Sequence, residues 1–214
     1  MTRFGSVVLD VDSTLSGIEG IDWLAKLRGK EIAAWSAALT DKAMRGEIPI
    51  EAVYGERMRA VRPTLPEIQE LARVYVERIA SRAVETLGAL RSGGVRTIMV
   101  SGGLREAILP LAGVLGVPDR DVHAVSVFFD KGGNYAGFEE DSPLTRQLGK
   151  KTVVANMGLK GPILAVGDGM TDSEMKAVVN SFAAYTGFTK RDAVIERADF
   201  VIDNFDQLRE LVLQ

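Results

Sequence analysis

The chain has 214 residues, 46% of them hydrophobic, with 26 basic against 29 acidic side chains, a net charge of -3 and no cysteine. That is enough apolar material for a substantial core, arranged as one α/β domain with a smaller inserted unit. The charge balance offers no basic field for nucleic acid, the missing cysteines exclude disulfides, zinc thiolates and cysteine nucleophiles, and no apolar run is long enough to span a bilayer. The start of the chain carries no signal-peptide pattern, and a cytoplasmic location is expected. His123 is the single histidine, which speaks against a histidine-rich metal site or a Ser-His-Asp triad.

Residues 7–14 read VVLDVDST, an apolar run that passes straight into two carboxylates. Such a run ending in Asp-x-Asp predicts a buried parallel strand whose last residues emerge at its carboxyl end, where open α/β sheets place their ligands. Side chains two apart on an extended chain share a face, so Asp10 and Asp12 can point into one small volume. Their charges repel unless compensated. A hard cation such as Mg²⁺, held by one or two carboxylates together with substrate phosphate, is the usual remedy. The octet is therefore a candidate for metal-assisted phosphoryl chemistry. The alternative is an acidic turn in which Asp12 caps the following helix.

Residues 17–77 carry helical patterning, with breaks at Gly29, Gly46 and Pro63 and little strand signal, which predicts an all-helical insert. Pro66 with Glu67 suits a helix start inside it. The insert would form a cap domain over the strand ends of a core made of 1–16 and 78–214. Hinges near Gly17 and Ser81 would let it close and exclude water. Helical patterning through 81–91 leads to a strand over 95–100 that runs into Ser101-Gly102-Gly103. Ser101 can donate to a phosphate oxygen and the glycine amides can bind an anion; as structure alone, Ser101 would N-cap the next helix. Residues 123–129 and 135–138, separated by DKGGN, predict a β-hairpin.

Gly149-Lys150-Lys151 opens a further predicted helix, and lysine at a helix N-terminus opposes the macrodipole unless an anion lies there. Residues 162–172, PILAVGDGMTD, repeat the grammar of the first strand. An apolar run enters Asp168 between Gly167 and Gly169, and Asp172 follows in the first turn of a helix starting near Thr171. A bare Gly-Asp-Gly can be only a turn. Two acidic strand ends in one α/β chain are harder to dismiss. Strands at 182–185 and 200–202 and a helix at 206–211 complete the alternation, giving a Rossmann-like doubly wound parallel sheet.

Taken in order, the elements around Asp10, Ser101, Lys150 and Asp168 resemble the haloacid dehalogenase superfamily of aspartyl-phosphate phosphatases. The resemblance implies Asp10 as nucleophile and Asp12 as general acid/base. Ser101, Gly102 and Lys150 would hold the phosphoryl group. Mg²⁺ would be bound by Asp10, Asp168 and the Asp12 main-chain carbonyl, with Asp172 supporting the metal site. Lys150 is chosen over Lys151 by its place after Gly149 and ahead of Val153-Val154.

Over nearly the whole chain the resemblance extends to the branch of that superfamily acting on phosphoserine. It is carried by IEGIDWLAK at 18–26, TDKAMRG at 40–46, Glu56-Arg57, NYAGF at 134–138 and RDAV at 191–194. It implies that Glu19 meets the substrate ammonium and Arg57 its carboxylate, with Met44, Thr171 and Arg191 contributing to the substrate site. An arginine can clamp a carboxylate bidentately, as a lysine cannot. The branch implies a small phosphomonoester as partner, a place in serine biosynthesis, and a monomer or homodimer without nucleic-acid or membrane partners. Leu9, Ile50 and a small gap before Arg191 depart from its pattern. Another substrate such as phosphohomoserine, or transfer to an acceptor alcohol, therefore stays open. A receiver-like module or a purely structural protein is disfavoured, the first by Asp12 and the second by the lysine pair and acidic strand ends.

Overall fold

The opening apolar run forms β1 (Ser6–Leu9), every residue of which is buried. The computed structural model describes residues 2–213. Four helices follow, α1 (Gly20–Lys26), α2 (Lys30–Met44), α3 (Tyr54–Val61) and α4 (Leu65–Glu77), with no strand among them. The chain then alternates through α5 (Ala83–Ser92), β2 (Arg96–Leu104), α6 (Arg105–Leu115) and β3 (Val122–Val125). A hairpin of β4 (Val127–Phe129) and β5 (Tyr135–Phe138) leads to α7 (Gly149–Asn156) and β6 (Ile163–Gly167). The last elements are α8 (Met170–Ser173), β7 (Ser181–Tyr185), α9 (Asp192–Ile195), β8 (Phe200–Ile202) and α10 (Phe205–Val212).

Six strands make one parallel sheet in the order β3-β2-β1-β6-β7-β8. β1 lies where the order reverses, buried on both faces, which is why its sequence shows no polar alternation. Its register sets Leu9 beside Met99 of β2 and Val166 of β6. Asp10, Ser101 and Asp168, lying one or two residues beyond that level, consequently gather at one rim of the sheet, at the switch point where α/β folds bind ligands.

Two local expectations are corrected. β2 runs on through Ser101-Gly102-Gly103, and α6 takes Leu104, not Ser101, as its N-cap. The register between β2 and β3 shifts between Val100 and Leu104, so the glycines form an irregularity inside the strand instead of a turn after it. The Gly103 N–H turns back to Ser101 Oγ at 2.9 Å. The apolar run at 123–129 is likewise split. Its first part joins the edge of the main sheet, where Val122, Ala124 and Val125 are buried, and only β4 pairs with β5. The separation falls at Ser126, after which the Val127 N–H is taken by Glu106 on α6.

The helical insert leaves and rejoins the sheet at one place, where the Ala80 N–H donates to the Leu15 carbonyl and the Gly17 N–H to that of Arg78. Its last helix, α4, packs on α6 and buries Ile68, Leu71, Ala72 and Tyr75. α4 starts on a reciprocal capping box between Thr64 and Glu67, with Pro66 in the first turn. Glu67 also accepts a two-pronged ion pair from Arg28, at 2.7 and 2.5 Å, and Arg28 Nε donates to the Val61 carbonyl. The Arg28 hydrogen bonds pull the Glu67 carboxyl down to about 2. A carboxyl depressed on folding contributes stability above its unfolded value, 4.5, and loses it as pH falls through the folded one. Glu67→Gln is therefore expected to cost about 1–2 kcal/mol at neutral pH. Urea unfolding of both proteins should show the gap closing as pH falls from about 4.5 toward about 2.

Candidate active site

Asp10, Asp12, Glu19, Met44, Arg57, Ser101, Gly102, Lys150, Asp168 and Thr171 line a single cavity between the sheet rim and the helical insert. Asp172 is fully buried beside it. Among the residues expected at the site, Arg191 is the departure. Its guanidinium does not line the cavity but donates to the carboxylate of Asp168, and at 3.2 Å to the Asp168 carbonyl. A carboxylate as buried as Asp168 needs a counter-charge, and Arg191 supplies it from the loop before α9.

Asp10, Asp168 and Asp172 each bring a carboxylate oxygen to within 4.8 Å of the others. Lys150 Nζ reaches into this group, 2.6 Å from Asp10 Oδ1 and 2.7 Å from Asp172 Oδ1. Local structure explains why Lys150 enters. Leu148 adopts left-handed backbone at the start of α7, and Gly149 lies so close to Pro143 that a Cβ there would stand 1.9 Å from its carbonyl oxygen. The first turn of α7 is thereby pressed against the sheet rim, with Lys150 buried. Asp172 is fixed by its other oxygen, which accepts the Gly169 N–H at 2.9 Å across the first turn of α8.

The electrostatics follow from burial. Asp10 is pushed up to about 7, by desolvation first and by Asp172 second, with Lys150 opposing. Asp168 is raised well above the carboxylate range by burial and then by Glu19. Lys150 loses hydration, which favours its neutral form, yet Asp10 and Asp172 hold its ammonium above the ordinary lysine range. At the rim itself three acids, Asp10, Asp168 and Asp172, face two cations, Lys150 and Arg191. The donors are all hard carboxylate oxygens. An octahedral Mg²⁺ with bonds of about 2.1 Å sets its ligands about 3–4 Å apart, so small side-chain rotations bring this group to coordination distance, and the residues fit the ion.

Asp12 has a different environment. Its Oδ1 accepts the Tyr75 hydroxyl at 2.6 Å and the Gly20 N–H, at the first residue of α1, at 3.0 Å. Asp12 is not the N-cap residue of α1, yet its carboxylate takes that helix's first amide while Asp12 also lines the cavity. Burial lifts Asp12 to about 6, against the lowering pull of Tyr75. Glu19 is the N-cap residue of α1, accepts the Ser13 hydroxyl at 2.7 Å, and is raised to about 7 by burial and then by Asp12.

Arg57 is buried, not on a wet helix face. Its Nη2 donates to Asp22 Oδ1 at 2.8 Å and its Nε to Ser36 Oγ at 3.1 Å, while the Ser36 hydroxyl donates to Asp22 at 2.5 Å. This fixes the guanidinium plane and leaves Nη1 without a partner among the described residues. Sequence reasoning missed Asp22, Ser36 and Tyr75, and also Tyr54, whose hydroxyl donates to the Gly102 carbonyl at 2.8 Å. Thr40 was passed over as well, although its buried, unpartnered hydroxyl belongs to a residue lining the cavity. Asp22 does carry a signal, since it falls one helical turn after Glu19.

The family model for haloacid dehalogenase-like hydrolases matches residues 7–176, and the chain belongs to that family. Over 95% of its length it is 33% identical to the chloroplastic phosphoserine phosphatase of Arabidopsis thaliana, spanning 70% of that protein. It is 32% identical, again over 95% of its length, to the phosphoserine phosphatase of Bos taurus, spanning 91% of it. Its fold is that of a phosphoserine phosphohydrolase-like protein from Francisella tularensis subsp. tularensis SCHU S4. That match has a TM-score of 0.86 at 24% identity and covers 96% of this chain and 98% of the other.

Removing one member of a buried ion pair leaves an uncompensated charge. Arg57→Met is therefore expected to destabilise the fold by about 3 kcal/mol. In chemical denaturation the double variant Arg57→Met/Asp22→Leu should recover part of that loss, whereas simple additivity would show the two side chains to be uncoupled.

Proposed function

We propose that the protein is a phosphatase that hydrolyses O-phosphoserine to serine and phosphate through an aspartyl-phosphate on Asp10, with Mg²⁺ as cofactor. One observation carries the reading: a single cavity joins the lysine-bridged acids at the sheet rim to Glu19 and Arg57 of the helical insert. Phosphoserine bears a phosphate, an ammonium and a carboxylate. Lys150 and Ser101 suit the first, Glu19 the second and Arg57 the third, each by opposite charge or hydrogen bonding. The names of the relatives agree with this substrate. Residues 17–77 serve as the cap and 1–16 with 78–214 as the core, and a cytoplasmic setting suits a chain without cysteine. Among the described residues no helix is long and apolar enough to cross a membrane.

In this mechanism Asp10 attacks phosphorus, the bond from phosphorus to the serine oxygen breaks, and Asp12 gives its proton to the departing oxygen. Asp12, now a carboxylate, takes a proton from a water whose oxygen attacks the phosphorus. The bond to Asp10 then breaks and both acids return to their starting states. A value near 6 suits Asp12 to both duties at neutral pH. Lys150 and Ser101 stabilise charge on the transferring group, the principal contribution in phosphoryl transfer. Asp10, Asp168 and the Asp12 main-chain carbonyl would hold Mg²⁺, with Asp172 supporting the site, and the ion would neutralise phosphate charge and keep Asp10 ionised.

A phosphate-release screen over phosphoserine, phosphothreonine, phosphohomoserine and sugar phosphates, with and without Mg²⁺, tests the reading. Phosphoserine is expected to give the highest kcat/KM, and Asp10→Asn should abolish turnover while keeping the fold. Arg57→Ala should penalise the amino-acid esters and spare the sugar phosphates. Preference for a sugar phosphate would overturn the substrate assignment. In thermal melts Mg²⁺ should stabilise the wild type, by about 2.7 kcal/mol at a hundredfold excess over Kd, and leave Asp168→Asn unmoved.

A further inference from the structure

One oxygen of Asp12 is held by two donors. Tyr75, fully buried in α4, donates its hydroxyl to Asp12 Oδ1, the same oxygen that accepts the Gly20 amide. Asp12 Oδ2 has no donor among the described residues. It lies beside Gly103, where a Cβ would come within 3.0 Å of it and 3.1 Å of both Ser101 Oγ and Ile108 Cδ1, which sets this free oxygen near the Ser101 hydroxyl. Tyr75 is anchored at both ends, because its own carbonyl accepts the Ser16 hydroxyl at 3.0 Å in the linker between β1 and the insert. The fit around its hydroxyl is tight. A Cβ on Gly20 would lie 2.1 Å from the Tyr75 oxygen.

We propose that Tyr75 is a positioning residue for proton transfer: by occupying Asp12 Oδ1 it fixes the carboxyl so that Oδ2 alone delivers the proton to the leaving oxygen and later takes one from water. The proposal rests on the phosphatase reading above and adds to it a residue of the helical insert. A phenol keeps its proton across the working range, because burial and then the Asp12 charge raise the Tyr75 hydroxyl well above the ordinary tyrosine value. It therefore acts as a permanent donor, orienting Asp12 without exchanging a proton with it. Tyr75→Phe removes the donor and keeps the buried ring.

A general acid matters in proportion to how poor the leaving group is, and kcat/KM reports only the steps up to departure of the alcohol. General acid catalysis is worth about 10²–10⁴ in rate, and a misaligned acid forfeits part of it. Tyr75→Phe is therefore expected to lower kcat/KM about tenfold for phosphoserine, an alkyl ester, and by less than about twofold for p-nitrophenyl phosphate, whose leaving group needs no proton. The phosphoserine loss should fall on kcat more than on KM. Gly20→Ala, which displaces the hydroxyl sterically, should give the same pattern, and the double variant should be little worse than either single one. It also keeps the test open should Tyr75→Phe fold poorly in thermal melts.

Equal losses on both esters would reduce Tyr75 to a packing role, and unchanged kinetics for both variants beside an active wild type would overturn the proposal alone. A wild type inactive on both esters would overturn the phosphatase reading along with it.

Discussion

A single buried ammonium holds the rim of this sheet together. Lys150 bridges Asp10 and Asp172, two carboxylates that would otherwise repel across a desolvated space. Arg191 does the same for Asp168. These pairs are weak evidence for stability, since the cost of taking charges out of water offsets much of their attraction. Their effect is arrangement. They keep the carboxylates of Asp10, Asp168 and Asp172 close together at the switch point of the sheet, where in the proposed reading Mg²⁺ and the substrate phosphate bind.

In the proposed reading the chemistry and the selectivity come from different parts of the chain. β1, β2, β6 and the start of α7 supply the acids, the hydroxyl and the lysine. The helices between 20 and 77, with their lead-in at Glu19, supply Arg57 and the pocket wall. The division is incomplete, because Tyr75 reaches back from α4 to Asp12 and Tyr54 from α3 to the Gly102 carbonyl. Any movement of the helical insert would therefore disturb the hydrogen bonds held by Asp12 and by the Gly102 carbonyl as well as the position of Arg57.

The sequence made the main chemistry legible where local pattern and local geometry coincide. Apolar runs entering Asp10 and Asp168 could be placed because a parallel strand has one period and one productive end, and the helical insert because its periodicity changes at its borders. What escaped was set by distant partners. The extension of β2 through Ser101-Gly102-Gly103 depends on its pairing with β3, and the split of the 123–129 run depends on which strand each half meets. Tyr75 lies 63 positions from the acid it holds, and the Asp22–Arg57 pair spans 35, so no spacing rule marks either. Arg191 was expected near the substrate by resemblance; it stands at the edge of the cavity, its guanidinium taken up as the counter-charge of Asp168.

Acid-quenched turnover of phosphoserine with Mg²⁺ present, followed by peptide mapping, tests the central claim most directly. Run on an Asp12→Asn variant, in which hydrolysis of the acyl phosphate is slowed, the account predicts a phosphoryl group on the peptide carrying Asp10 and on that residue. Continuing phosphate release with a phosphoryl group on another side chain, or with none trapped on the protein at any time point, would contradict it.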